Sequence, residues 1–186
     1  MLRRTAPQHN TEEGRHAWCG RDGGRIIEYG PFARSALNQP PLWRCERCGR
    51  EFANRNQSHA CGRHDLDHHF TGKPPRIRAL FDAVVAAIQD IGPVEVLPEK
   101  TRIAFHVRMS FAQVTPRRAW LDGHVVLARR LESPRFRSVQ TFSPRNHLHA
   151  FRLETLEDID HEFRGWLAEA YAVGEQKHLA KGPERG

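Results

Sequence analysis

The spacing Cys45-x2-Cys48-x10-His59-x-Cys61 constrains this chain more than any other feature of its sequence. Two thiols separated by two residues grip one tetrahedral ion from a single tight turn, and Gly49 lets the chain fold back directly after the second. His59 and Cys61 supply a second pair at loop distance. Phe52 lies four residues after Cys48, at a core-aromatic position. A segment this short buries too little apolar surface to fold alone, so the ion has to supply the folding energy. Zinc suits this donor set. Four protein donors leave no open coordination position, which argues for a structural ion. The fourth ligand has alternatives: His64 would give C-x2-C-x12-C-x2-H, and His68 and His69 follow closely. Cys19 is distant from the cluster and is expected to be a plain thiol.

The rest of the chain divides around this knuckle. Residues 1–40 are rich in Gly, Arg, His and Asn and lack apolar periodicity, so a loosely attached arm is expected there, with room for one short strand over 24–29. The knuckle and its linker take 41–72, a packed domain 73–175, and a flexible tail 176–186. No apolar stretch follows Arg3 and Arg4, and no apolar run approaches the roughly 20 residues of a membrane span. The expectation is a protein of the reducing cytoplasm, with no membrane contact and with cysteines free or metal-bound.

From Pro74 the pattern becomes that of a domain with a core. Pro74 and Pro75 suit a first helical turn. Ile77, Leu80, Phe81, Val84, Val85 and Ile88 make one apolar stripe, and Gly92-Pro93 stops the helix. Strands are expected over 94–97, 102–108, 120–130, 136–142 and 147–153, with a bulge at Asp122-Gly123. Thr155, with Asp158 three residues on, caps a last helix whose stripe is Leu156, Ile159, Phe163, Trp166, Leu167 and Ala170, and Gly174 is its natural stop. The fold class is α+β: an N-terminal zinc knuckle, then a two-layer sandwich of about five mostly antiparallel strands with two helices on one face.

Several of these residues resemble a bacterial family of domains of unknown function, family 5655. Its pattern W-x-C-x2-C-G-x2-F-x4-Q-x-H-x-C is met by Trp43, Cys45, Cys48, Gly49, Phe52, Gln57, His59 and Cys61. His69-Phe-Thr-Gly-Lys73 follows, then Lys100, Thr101, Ile103 and Phe105 of a strand, and Asp160 with Trp166–Tyr171 of a final helix. The resemblance covers roughly residues 40–175. It implies His59 rather than His64 as the ligand, and it implies no activity.

The formal net charge is +7. A surplus of this sign favours polyanionic partners, because phosphate contacts are mostly electrostatic. Strand alternation places Arg102, His106, Arg108, His124, Arg130 and Arg152 on the sheet face away from the helices, with Trp120 at its edge. Lys73, Arg76, Arg78, Lys100, Arg117 and Arg118 extend the positive field. An antiparallel sheet is equally expected to turn an ordinary solvated face to water. The reading is a non-enzymatic basic binding module that contacts RNA or DNA through Lys73, Lys100, Arg102, Arg108, Arg117, Arg118, Trp120 and Arg130. The alternative is a module for a protein partner or a small anion, anchored on Lys100, Arg102 and Arg108. An enzyme comes third: the histidines form no recognisable catalytic pair, and no phosphate-cradling loop, Gly-x-Ser-x-Gly or HExxH motif is present.

Overall fold

Ile77, Leu80, Phe81, Val84 and Ile88 do line the buried side of a helix, α1 (Pro75–Gln89). The computed structural model describes residues 39–57, 59, 61–62 and 64–179. The arm through residue 38, its strand over 24–29, Cys19 and residues 180–186 lie outside the described residues.

Two strands of two residues each, β1 (Trp43–Arg44) and β2 (Glu51–Phe52), form the hairpin of the knuckle. A 3₁₀ turn at Asp67–Phe70 leads into α1. Then come β3 (Glu95–Pro98), β4 (Ile103–His106), β5 (Ser110–Pro116), β6 (Leu121–Leu127), β7 (Phe136–Ser143) and β8 (Asn146–Leu153). They build one antiparallel sheet in the order β3-β4-β5-β6-β8-β7. The sheet therefore has six strands rather than about five. The additional one is β5, whose alternation is confined to Ala112, Val114 and Pro116 and which follows β4 after only a short turn.

The final helix corrects a second expectation. Thr155 and Asp158 do form a reciprocal capping box, but it closes only a 3₁₀ turn, Leu156–Asp158. The helix α2 (His161–Gly174) starts afterwards on Asp160, whose carboxylate accepts from the Phe163 N–H at 2.9 Å. Leu156 precedes this start and stands exposed, whereas Phe163, Trp166, Leu167 and Ala170 are buried. Arg135 locks the junction, reaching the Asp160 carboxylate at 2.8 Å and the Asp158 carbonyl at 2.6 Å while lying over Trp166.

Helix α2 packs over β5 and β6 with α1 beside it. Phe81 stacks on Phe105, and Phe151 meets Phe163 edge-on, so both helices sit on the same side of the sheet. Gly123 lies on this side in the middle of β6. The register runs past it unbroken on both edges, so the expected bulge is absent. A Cβ there would come within 2.6 Å of both the Gln113 carbonyl and the Phe151 ring. Glycine is needed because an aromatic ring and a neighbouring strand already occupy the space.

Buried histidines tie the connections to this scaffold. His149 is fully buried; its Nδ1–H donates to the His147 carbonyl at 3.0 Å and its Nε2 accepts from the Leu131 N–H at 2.9 Å. That pins the β6–β7 connection across β8. His124 lies on the other face, opposite Gln113 and Ala150. Burial and the Arg102 charge push it down to about 4.

Two outcomes follow. Gly123→Ala should lower stability by about 2 kcal/mol, measured by urea unfolding, because neither the strand nor the Phe151 ring can yield cheaply. A histidine whose pKa is lowered by folding stabilises the native state above its unfolded value near 6.5, and that contribution is lost as pH falls toward the folded value. Between pH 7 and pH 4.5 the wild type should therefore lose on the order of 2 kcal/mol more stability than His124→Gln. Equal losses in the two proteins would refute the assignment.

Candidate metal centre

The knuckle is built by backbone hydrogen bonds before any side chain is considered. The Cys45 N–H donates to the Arg50 carbonyl at 2.9 Å, and the Gly49 N–H donates to the Cys45 carbonyl at 2.8 Å. Gly49 adopts φ +73°, a left-handed conformation that permits the reversal after Cys48. The turn presents the Cys45 and Cys48 sulfurs to one point. The loop after β2 returns His59 and Cys61 to the same point.

The four donor atoms of Cys45, Cys48, His59 and Cys61 all lie within 4.8 Å of one another. Cys45 Sγ and Cys61 Sγ are 3.8 Å apart, and His59 Nε2 is 3.3 Å from Cys48 Sγ and 3.2 Å from Cys61 Sγ. A tetrahedral ion with metal–sulfur bonds of about 2.3 Å and a metal–nitrogen bond of about 2.0 Å needs donor separations of about 3.8 Å between sulfurs and about 3.5 Å between sulfur and nitrogen. These three separations are within a few tenths of an ångström of those values. His64 does not belong to the group, so the histidine implied by the resemblance is the one the fold brings in.

The surroundings favour the ligating forms. His59 Nδ1–H donates to the Gln57 carbonyl at 2.7 Å, which fixes the tautomer that aims an unprotonated Nε2 at the sulfurs. The Cys48 N–H points at the Cys45 sulfur and, with help from the Arg47 N–H and the neighbouring thiols, brings Cys45 down to about 6. Burial, with the adjacent Cys45 and Cys48 sulfurs, pushes Cys61 up. Three sulfurs this close cannot all ionise beside one another without a cation among them. The donor set fits a metal ion, and the residues that would hold it are these four.

The knuckle is seated on the sheet. Phe52, only 3% exposed, lies between the His59 ring at 4.3 Å and His106 of β4 at 5.6 Å. His106 Nε2–H donates to the Glu51 carbonyl at 3.1 Å, and the Ala53 N–H donates to the Arg108 carbonyl at 3.1 Å. His106, expected on an open face, is 2% exposed beneath the hairpin. Its role had one sequence signal: it is the only ionisable member of the otherwise apolar β4 run Ile-Ala-Phe-His.

The basic residues are more often paired than the alternation argument implies. Arg102 pairs with Glu99 at 2.5 Å. Arg117 and Arg152 share Asp122, each at 3.0 Å, and Arg152 lies over Trp120 at 3.9 Å. Arg130 is 3.7 Å from Glu132. Arg108 donates to Gln176 Oε1 at 3.1 Å and to the Pro40 carbonyl at 2.6 Å, tying the start of the knuckle to the end of α2. Lys73 closes the turn before α1, and Lys100 and Arg118 are exposed in turns, without ion pairs among the described residues.

Metal analysis by mass spectrometry tests the centre. The purified protein should carry one ion per chain. Cys45→Ser and His59→Ala should each reduce that content sharply, and His64→Ala should leave it unchanged.

No curated protein and no solved structure matches the chain. A family model does, over residues 66–174, under the description Domain of unknown function (DUF5655). The match begins at Leu66, just before the 3₁₀ turn, and ends at the last residue of α2. The four-donor cluster lies ahead of it. On this match, which spans more than half of the sequence, the chain belongs to the DUF5655 family.

Proposed function

We propose that the chain is a nucleic-acid-binding module of the cytoplasm whose knuckle is held by one structural zinc ion. Three thiolates and one imidazole are a donor set that zinc favours, and four protein donors leave no position for a substrate or a water. The two surface depressions described beside the helices and β7, of about 280 and 300 Å³, contain no histidine or cysteine in their walls.

One observation supports polyanion binding above the others. Most arginines on the sheet and helices have an acidic partner, whereas Arg44, Arg47 and Arg55 of the knuckle have none among the described residues. Arg44 donates only to the Gly49 carbonyl, at 3.1 Å. Glu51 faces Arg44 across the ladder and Glu46 adjoins Arg47 without forming an ion pair, so these arginines can meet phosphates without first breaking one. Lys73, Lys100 and Arg118 extend the same unpaired charge along the domain. The reading with a small anion anchored on Lys100, Arg102 and Arg108 is less favoured, because Arg102 and Arg108 are already engaged.

Fluorescence anisotropy with single-stranded RNA and DNA at 50 and 200 mM salt tests the proposal. Contact with about three phosphates predicts a loss of affinity of roughly twentyfold between the two salt concentrations. Arg47→Glu with Arg55→Glu should weaken binding by about tenfold or more at low salt. Absence of binding at 50 mM salt, or binding indifferent to salt, refutes it.

A further inference from the structure

The ligand His59 is backed by a residue that belongs to the sheet. Its ring lies 4.3 Å from Phe52, and Phe52 meets the His106 ring at 5.6 Å and 69°. Trp43 closes the same small core from β1, at 6.0 Å from Phe52. Both residues flanking Phe52 are bonded to the β4 end of the sheet: Glu51 through its carbonyl to His106 Nε2, and Ala53 through its N–H to the Arg108 carbonyl. His106 is itself held, since its Nδ1 accepts from the Ser110 hydroxyl at 3.3 Å. Phe52 therefore cannot turn away from His59 unless the contact with β4 opens.

The chain leading into the hairpin is tied separately, through Arg108 to the Pro40 carbonyl and Gln39 to the Glu175 carbonyl, but the hairpin itself is short. Its ladder is two residues on each side, far short of what an isolated hairpin needs. An imidazole ligand binds best when its orientation is fixed in advance, and here Gln57 fixes it from one side and Phe52 from the other.

We propose that His106 is a positioning residue of the metal centre. By holding Phe52 against His59 it raises the affinity of the site for its ion, and it makes the ion and the sheet one thermodynamic unit. This rests on the reading of the four donors as an ion site. Linkage requires the effect to be reciprocal: whatever His106 contributes to ion binding, the bound ion returns as stability of the sheet.

The test uses the full chain and Co²⁺, whose visible absorption reports tetrahedral thiolate coordination, in competition with a chelator. The wild type should take up one Co²⁺. His106→Ala should bind it about tenfold more weakly or worse, with an unchanged far-ultraviolet spectrum, the usual scale for losing an outer-shell partner. His106→Gln retains a donor toward Glu51 and should recover part of the affinity. Adding Co²⁺ should raise the unfolding midpoint of the sheet in the wild type and raise it much less in His106→Ala. An affinity within twofold of wild type in a folded His106→Ala overturns the proposal. Should that variant not fold, Phe52→Leu decides in the same way, because it removes the intervening ring and leaves β4 intact. A wild type that takes up no Co²⁺ overturns the ion site itself, which is a different result from a wild type and variant that bind equally.

Discussion

A sheet has two faces, and among the described residues there is one helix layer to cover them. Six strands at about 4.8 Å span roughly 25–29 Å, and two packed helices cover about 20 Å of that width. On the helix side the shortfall falls on β7, the outer strand, most of whose residues are exposed and which carries two register shifts. On the other side the knuckle takes the place of a second layer over the β3–β4 end. Its hairpin sits at His106, and the chain then travels to the opposite end of these strands, where the 3₁₀ turn places Phe70 against Phe81 and the buried His69 ring comes near the Glu99 backbone. Ala104 and Leu97, which face away from the helices, are also buried. The seat of the hairpin on β4 decides where the donor cluster lies and which half of the far face remains open.

Histidine is the residue through which most of these junctions are made, and one rule governs it. Buried imidazole is stable when one nitrogen donates to an acceptor and the other accepts or ligates. His59 donates to Gln57 and turns Nε2 to the sulfurs; His106 donates to Glu51 and accepts from Ser110; His149 donates to His147 and accepts from Leu131. His147 sits between the Thr141 hydroxyl at 2.9 Å and the Pro144 carbonyl at 3.3 Å. Each ring is held between two partners, so each joins two segments through a fixed direction. His124 departs from the rule: it has no hydrogen-bond partner among the described residues, and burial acts on it without compensation.

What the sequence makes legible follows from how local each constraint is. The donor cluster is encoded within seventeen residues: spacing names the three cysteines and leaves the histidine open, and His59, implied by the resemblance, is the one the fold brings to them. The stripe of α1 is equally local. The start of α2 is local too, yet it was read one turn early, because Thr155-x-x-Asp158 and Asp160-x-x-Phe163 are both valid starts and only the lock of Arg135 on Asp160 selects the second. Strand β5 was missed because Ser110 and Pro116 bracket a run with few large residues. The seating of the knuckle was out of reach: His106 and Glu51 are 55 positions apart, and nothing in either neighbourhood names the other. Gly123 illustrates the same limit, since a glycine in a strand signals a bulge until the ring of Phe151 is placed over it.

Charge is the property for which sequence and structure differ most, and the reason is pairing. Alternation along a strand predicts which face an arginine takes, but it does not say which acid will meet it from the next strand. Asp122 alone engages Arg117 and Arg152, and Glu99 engages Arg102, so the open part of the sheet is far less positive than its arginine content implies. Exposed ion pairs of this kind contribute little stability, about 0–1 kcal/mol each. Their larger effect is to remove the local field that would draw an anion in. Arg44, Arg47 and Arg55 keep no ion pair among the described residues, and they sit on the knuckle, whose rigidity depends on donor atoms that repel one another unless a cation lies among them. These unpaired arginines and the site that can hold a metal ion share the same short hairpin, and the sheet holds that hairpin through His106 and Arg108.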